Sequence, residues 1–475
     1  MIALLVSLLS GTMFYLSQGL DNVWVLAWVA PAPLLWLAYR RAPKWQIAGA
    51  SGLAFLCGQA YIVQCYWGEL PADLVVPLEA QLVILFATAV VLSGAALRRL
   101  PPLVALFAFP AFWSAAEFLI DRYSPHGSYG SLAYAETAFP AGIQIASLLG
   151  LYSITFSLCL FANALAFLAH RRWVAGTLGA ALCLLGVVYG YTRLGEPPGP
   201  RVAVAALADA DSWHAENRAR TLQAEVSAAE AYSAAIKAEH GTRVFVIPEG
   251  AIRMSEHAQA PVLAPLAAAA RSSHAVVVAG TFVPWPTQNR AFAFFPDGRV
   301  MTYAKRHPLW PLETEPPGHT SGYLGGGYAT QICKDMDFVH TVRTTALRGV
   351  RLMIVPANDF GHDGYIHARM SVMEGVENGF AVLRSAFNGL ETISDAYGRI
   401  LASASTMRPG MVVTTAAVPL GPGPTLYTHL GNVFPWLCAL ASIALGIAIA
   451  PFDFTRLIRA VLRSARARVR RGWGR

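Results

Sequence analysis

Thr330-Gln331-Ile332-Cys333-Lys334-Asp335-Met336-Asp337-Phe338 is the stretch on which the fold turns. Its first residues close a short apolar run at 329–333 that reads as a strand, and its polar end reads as the approach to a helix. A cysteine at such a junction lies at the rim of a sheet, where a helix dipole and nearby cations favour thiolate. Further strand candidates fall at 202–207, 244–247, 275–279, 291–295, 300–304 and 352–355, with helical stretches near 215–239, 256–272 and 366–379. Strands alternating with helices indicate an α/β layered domain. Breakers bound it, Gly195-Glu196-Pro197-Pro198-Gly199-Pro200 before and Pro419-Leu420-Gly421-Pro422-Gly423-Pro424 after, so the domain is expected at 201–420.

Outside that domain the composition changes class. The 475-residue chain is 55% apolar and only 13% charged, against about 25% charged in ordinary soluble domains. Apolar stretches long enough to cross a bilayer are read at 2–20, 23–39, 47–67, 80–97, 103–120, 142–169, 173–191 and 430–452. The first is not read as a signal peptide, because it lacks a basic leader and further spans follow at once. Pro31 and Pro33 mark the second as kinked or re-entrant. The expected layout is a seven-helix membrane domain at 1–194, the α/β domain, an eighth span at 430–452 and a basic tail at 453–475.

Loop charge orients this frame. Arg40, Arg41 and Lys44 follow the second span, Arg98 and Arg99 the fourth, and Arg171 and Arg172 the sixth. Eight arginines lie in the last twenty residues and account for the whole net charge of +8. The loop after the third span carries Glu69, Asp73 and Glu79 and no Lys or Arg. Both termini are therefore expected inside and residues 201–420 outside. The basic tail reads as a membrane-flanking segment, and no nucleic-acid partner is expected.

Five of the six cysteines, Cys57, Cys65, Cys159, Cys183 and Cys438, lie in candidate spans and read as inert apolar residues. Cys333 is alone in the α/β domain, in a compartment where paired thiols would oxidise. It reads as a nucleophile, with a buried core cysteine as the alternative. Lysine is rare, only Lys44, Lys237, Lys305 and Lys334, and one of the four adjoins Cys333.

Three separated motifs carry a resemblance. They are Val246-Ile247-Pro248-Glu249; Tyr303-Ala304-Lys305-Arg306-His307-Pro308 followed by Pro311-Leu312-Glu313; and Ile332-Cys333-Lys334-Asp335. In this order the chain resembles the carbon–nitrogen hydrolase (nitrilase) superfamily, and more closely its membrane-embedded branch, the bacterial apolipoprotein N-acyltransferase family. Asn358-Asp359, His367, Glu377, Arg384 and Asn388-Gly389 fit the downstream pattern. The resemblance implies a nitrilase-like αββα sandwich carried by a polytopic helical membrane domain. It implies Cys333 as nucleophile, Glu249 as general base and Lys305 as oxyanion donor. It also implies that Glu313 orients Lys305 or the base, a plain ion pair being the alternative.

The implied reaction takes an acyl chain from a phospholipid onto Cys333 as a thioester. It then passes the acyl group to the α-amine of a lipoprotein's N-terminal diacylglyceryl-cysteine, at the periplasmic face of the inner membrane. A monomer is expected, with no cofactor and no metal. Trp213, Asn358 and His367 are read as substrate contacts, although Trp213 reads equally as a packing residue. His367, Met370, Glu374 and Glu377 share a helical face, with Glu377 read as a buried structural carboxylate. Glu117, inside the fifth span, reads either as lining a lipid cavity or as the partner of Arg122.

Departures from the family pattern cluster beside the nucleophile. Lys334 and Asp335 stand where the acyltransferases more often carry an aromatic residue and Glu. Lys334 is expected to depress the thiol pKa further, and Asp335 to fall short of the longer side chain's partner. Residues 314–332 are compact where a longer lid is usual, and no Trp follows Asn358-Asp359-Phe360-Gly361. These features leave open a membrane-anchored amidase using water, or an acyltransferase with another acceptor such as a conjugative-transfer or surface protein.

Overall fold

The computed structural model describes residues 1–211, 221–284 and 286–450. Trp213 and the tail at 453–475 lie outside the described residues. The α/β domain contributes twelve strands: β1 (Arg201–Asp209), β2 (Val244–Arg253), β3 (Val276–Pro284), β4 (Thr287–Phe294), β5 (Val300–Ala304), β6 (Tyr323–Gly325), β7 (Tyr328–Thr330), β8 (Leu352–Asn358), β9 (Ala381–Phe387), β10 (Leu390–Ser394), β11 (Ile400–Ser405) and β12 (Met411–Pro419). They form two six-stranded sheets, in the orders β12-β1-β2-β3-β4-β5 and β11-β10-β9-β8-β7-β6. The centre of each sheet is parallel, β1-β2-β3 in one and β7-β8-β9 in the other.

Period-two alternation explains the layering. Val204, Val246 and Val278 face Ile354, Leu352 and Leu383 of the other sheet across one apolar core. Their neighbours Ala205, Phe245, Ile247 and Val277 face outward onto Tyr232 and Ile236 of helix Leu222–Ala238 and Leu266 of helix Gln259–Ser272. Met353 and Val355 pack on Val342 and Ala346 of helix Val339–Ala346. The result is a nitrilase-like αββα sandwich. The sequence reading anticipated β1–β5, β7 and β8 but not β6 or β9–β12. In β9 a buried Arg384 and Ser385 interrupt the apolar run that would have announced the strand.

Five helices of the described residues are long and apolar enough to cross a membrane: Lys44–Tyr66, Ala72–Arg99, Pro102–Tyr123, Leu151–Ala169 and Trp173–Leu194. Ile2–Gln18 and Val433–Ile449 are shorter apolar helices at two further expected spans. The stretch expected at 23–39 is a 3-10 turn, Trp24–Leu26, followed by Ala32–Tyr39, with Pro31 and Pro33 at that helix's start, where proline is tolerated. The stretch expected at 142–169 is divided into Pro140–Ile143, Ala146–Leu149 and Tyr152–Ala169. Glu117 lines a small cavity together with Leu82, Ile120 and Ser131, and among the described residues it makes no ion pair with Arg122. It is buried, accepting from Ser131 Oγ at 2.6 Å, Thr155 Oγ1 at 2.7 Å and the Leu132 N–H at 2.9 Å.

Helix Gly364–Asn378 joins the two parts. Its Ile366, Met370, Met373 and Val376 share one core with Ile143, Leu151 and Tyr152 of the helical region. It stops at Gly379, whose φ of 75° is the left-handed cap that glycine provides. Glu377 is buried and accepts the Leu151 N–H, in keeping with its reading as a buried structural carboxylate.

Candidate active site

Cys333 follows β7 by three residues and opens a 3-10 turn, Cys333–Asp337, before helix Val339–Ala346. Its φ of 45° is unusual for a residue with a side chain and costs on the order of 1–3 kcal/mol, so the surroundings must enforce it. Asp335 supplies much of that enforcement. One of its oxygens accepts the Ile332 N–H at 3.1 Å and the Tyr303 hydroxyl at 2.7 Å. The other accepts the Arg306 N–H at 3.0 Å and the His307 N–H at 2.8 Å. The shorter side chain ties the nucleophile's turn to the chain leaving Lys305. The Cys333 thiol donates to the Asn358 carbonyl at 3.4 Å.

Glu249 sits where β2 bulges, its register with β3 shifting between Ile247 and Ile252. The bulge presses on Gly280, where a Cβ would stand 2.5 Å from Glu249 Cα, so no side chain fits beneath it. Lys305 leaves the end of β5, and its N–H donates to the Asn289 carbonyl of β4 at 3.0 Å. Its Nζ donates to Glu249 Oε1 at 2.7 Å and to Glu313 Oε1 at 2.7 Å. Glu313 is held by the Leu309 N–H. Asn289 Nδ2 donates to Glu249 Oε1 at 2.6 Å, a contact that an Asn in a strand gave no sequence signal for.

Burial dominates the electrostatics. Burial pushes the Cys333 thiol well above its ordinary range, and the negative Glu249 adds to this, while Lys305 opposes. The resting nucleophile is therefore a thiol, contrary to the thiolate expected from a helix terminus. Lys334 turns its Nζ to Asp337 Oδ2 at 3.6 Å, and the charges that act most on the thiol are Glu249 and Lys305. Burial raises Glu249 as well, against the pull of Lys305. Burial works to lower Lys305, but Glu249 and Glu313 outweigh it and hold the ammonium charged.

A cavity of ≈ 490 Å³ opens onto these groups. Cys333, Lys305, Glu249, Glu313, Lys334, Asn358 and His367 all line it, which brings together every candidate site residue except Asp335, buried behind the turn, and Trp213, outside the described residues. Its opposite wall comes from the helical region: Tyr66, Leu70, Leu74, Val75, Leu78 and Glu79. His367 is fixed between Asp337, 3.3 Å from Nδ1, and Asp363, 3.4 Å from Nε2. Burial would lower its pKa, but Asp337 and Asp363 raise it to about 10. The helical region also grips the nucleophile's turn, because the Ser128 N–H and hydroxyl both donate to the Asp337 carbonyl at 2.8 Å.

Residues 10–165 match the family described as apolipoprotein N-acyltransferase N-terminal domain, and residues 201–421 match carbon-nitrogen hydrolase. An apolipoprotein N-acyltransferase of Geobacter metallireducens is 26% identical, over 94% of this chain and 95% of that protein. One of Vibrio cholerae is 23% identical, over 89% of this chain and 92% of that protein. The chain is a divergent member of the apolipoprotein N-acyltransferase family. Among solved structures, a carbon-nitrogen hydrolase from Helicobacter pylori G27 aligns at a TM-score of 0.39 and 16% identity, over 46% of this chain and 89% of that one. The chain joins both parts in one polypeptide, a membrane protein whose helical region walls one side of the candidate site.

Proposed function

We propose that the chain transfers a fatty acyl group from a membrane phospholipid, through a thioester on Cys333, to the α-amine of a lipoprotein's N-terminal diacylglyceryl-cysteine. One observation carries the reading: Cys333, Lys305, Glu249 and Glu313 share a cavity whose other wall is the apolar end of the helical region. A soluble amidase has no use for such a wall, whereas an enzyme handling acyl chains needs one.

In the first half of the reaction Glu249 takes the thiol proton as the sulfur attacks the ester carbonyl. An ammonium has three N–H donors. Lys305 gives two to Glu249 and Glu313, and the third receives the developing oxyanion. The ester C–O bond then breaks, and the lysophospholipid alkoxide leaves with the proton from Glu249. In the second half the amine attacks the thioester, its proton passes through Glu249 to the departing sulfur, and the thiol is restored. Glu313 positions Lys305, Asp335 holds the turn, Lys334 and His367 fix Asp337 below the turn, and Asn358 receives the resting thiol. No step needs a cofactor or metal.

The arrangement in the membrane belongs to the same reading. Residues 1–194 and 430–452 span the bacterial inner membrane, the tail at 453–475 lies in the cytoplasm, and residues 201–420 face the periplasm as part of a monomer. Incubation with radiolabelled phospholipid should give a hydroxylamine-labile label that Cys333→Ala lacks. Absence of label, with ammonia released from simple amides, would replace the reading by an amidase. Failure of a well-expressed protein to rescue a strain depleted of its own N-acyltransferase would remove the lipoprotein acceptor.

A further inference from the structure

The carboxylates in the cavity wall are unequal. Glu249 and Glu313 share Lys305. Asp359 is bound by both terminal nitrogens of Arg384, with Oδ2 3.0 Å from Nη1. Asp363 faces His367 and accepts the Phe360 N–H at 2.7 Å. Glu69 stands exposed at the rim. Glu79 alone is half-buried in the wall with no cation within ion-pair distance among the described residues, and one of its two oxygens, Oε2, is buried without a hydrogen-bond partner. A carboxylate withdrawn from water without a partner is costly, and the cost disappears when a cation or a proton arrives.

Its place in the fold says which cation. Glu79 lies two turns into helix Ala72–Arg99. Leu74, Val75 and Leu78 surround it in the cavity wall, and Ile84 further along the helix is exposed on the apolar surface. A group reaching Glu79 therefore arrives along the membrane side, across the cavity from Cys333. We propose that Glu79 is the acceptor-amine site: it binds the protonated primary amine of a lipid-anchored acceptor and takes one proton from it. The inference rests on the acyl-transfer reading above and names the group that readies its second substrate.

The proton balance gives such a group a task. An α-amine has a pKa of about 7.7–8.0, so near neutrality it enters mostly as ammonium, which has no lone pair to attack with. Glu249 can accept only one proton in the second half, and that proton goes on to the sulfur. With Glu79 the step closes. Of the ammonium's three hydrogens one goes to the Glu79 carboxylate, one passes by way of Glu249 to Cys333, and one remains on the amide. The N–C bond forms, the C–S bond breaks, and Glu79 returns its proton to solvent. In a dry pocket a carboxylate and an ammonium favour this neutral pairing.

The test follows the acyl-enzyme in detergent-solubilised full-length protein, loaded from radiolabelled phospholipid and chased with a diacylglyceryl-cysteine peptide. In Glu79→Gln the thioester label should persist through the chase, its transfer to peptide slowed on the order of tenfold or more. That deficit should shrink as pH rises past the amine's own pKa, and Glu79→Asp should restore part of the rate. Chasing with hydroxylamine, which is uncharged near neutrality, should clear the label from Glu79→Gln as fast as from wild type. Transfer to peptide at the wild-type rate in Glu79→Gln overturns the inference. So does an equal slowing with hydroxylamine, which would mark Glu79 as structural. If the wild-type protein forms no thioester, the acyl-transfer reading itself falls and this inference with it.

Discussion

Two cations line the cavity with Cys333, each set between two carboxylates, and they do different work. Lys305 lies between Glu249 and Glu313, and His367 between Asp337 and Asp363. The difference is in the donors left over. Lys305 uses two of its three N–H groups and keeps one for the cavity, whereas both ring nitrogens of His367 already face a carboxylate. The first arrangement is anchored on the bulge of β2 and the end of β5, in one sheet. The second joins the nucleophile's turn to the helix that packs on the membrane region. A cation with a spare donor can stabilise a transition state, and one without can only hold parts together. The same charge pattern therefore serves chemistry in one place and docking in the other.

The contrast can be broken experimentally. Lys305→Met removes the spare donor and should lower acyl-enzyme formation by at least about 10²–10³, measured as initial rate of label uptake. A smaller loss than that of His367→Gln would reverse the assignment of roles. Asp335→Asn leaves the volume but weakens four hydrogen bonds between the Lys305 and Cys333 segments. At roughly 1.5–3 kcal/mol for bonds to a charged group, it should lower the melting temperature clearly and slow acylation.

Glu249→Gln removes a negative neighbour that raises the Cys333 thiol. Its iodoacetamide reactivity, followed by mass spectrometry, should therefore appear at lower pH than in wild type, even as acyl transfer is lost. An unchanged or higher profile would show that Glu249 does not act on the thiol. The smallest effect belongs to His367. Its pKa is raised from 6.5 to about 10 in the folded state. Its charge thus contributes stability that is full below 6.5 and lost as pH rises to about 10. Across that window wild type should lose stability more steeply than His367→Gln, and parallel pH curves would refute the charged imidazolium.

Legibility differed between the same two places. The segments bearing Glu249, Lys305 and Cys333 announced themselves as strand ends, because an apolar run stopping at a charged residue is a local pattern. β9 did not, because a buried arginine interrupts its apolar run, and the Asp359 that neutralises Arg384 lies just past the end of β8. Helix Gly364–Asn378 looked half-polar yet is buried on nearly every side, because the membrane region covers the face a soluble domain would leave to water. The thiol was misread for a related reason. A helix terminus favours thiolate, but burial and Glu249 outweigh it, and neither is visible from the residues next to Cys333.

The sequence by itself determined the layered α/β domain, the apolar frame around it and the residues that carry the chemistry, since periodicity, composition and motif order are properties of neighbours along the chain. Only the tertiary structure decided which charges meet. Sheet register put Asn289 beside Lys305, a bulge over Gly280 aimed Glu249, and the helical region left Glu79 facing the cavity with no cation paired to it among the described residues. Pairing and burial depend on distances across the fold, and those set proton positions and spare donors.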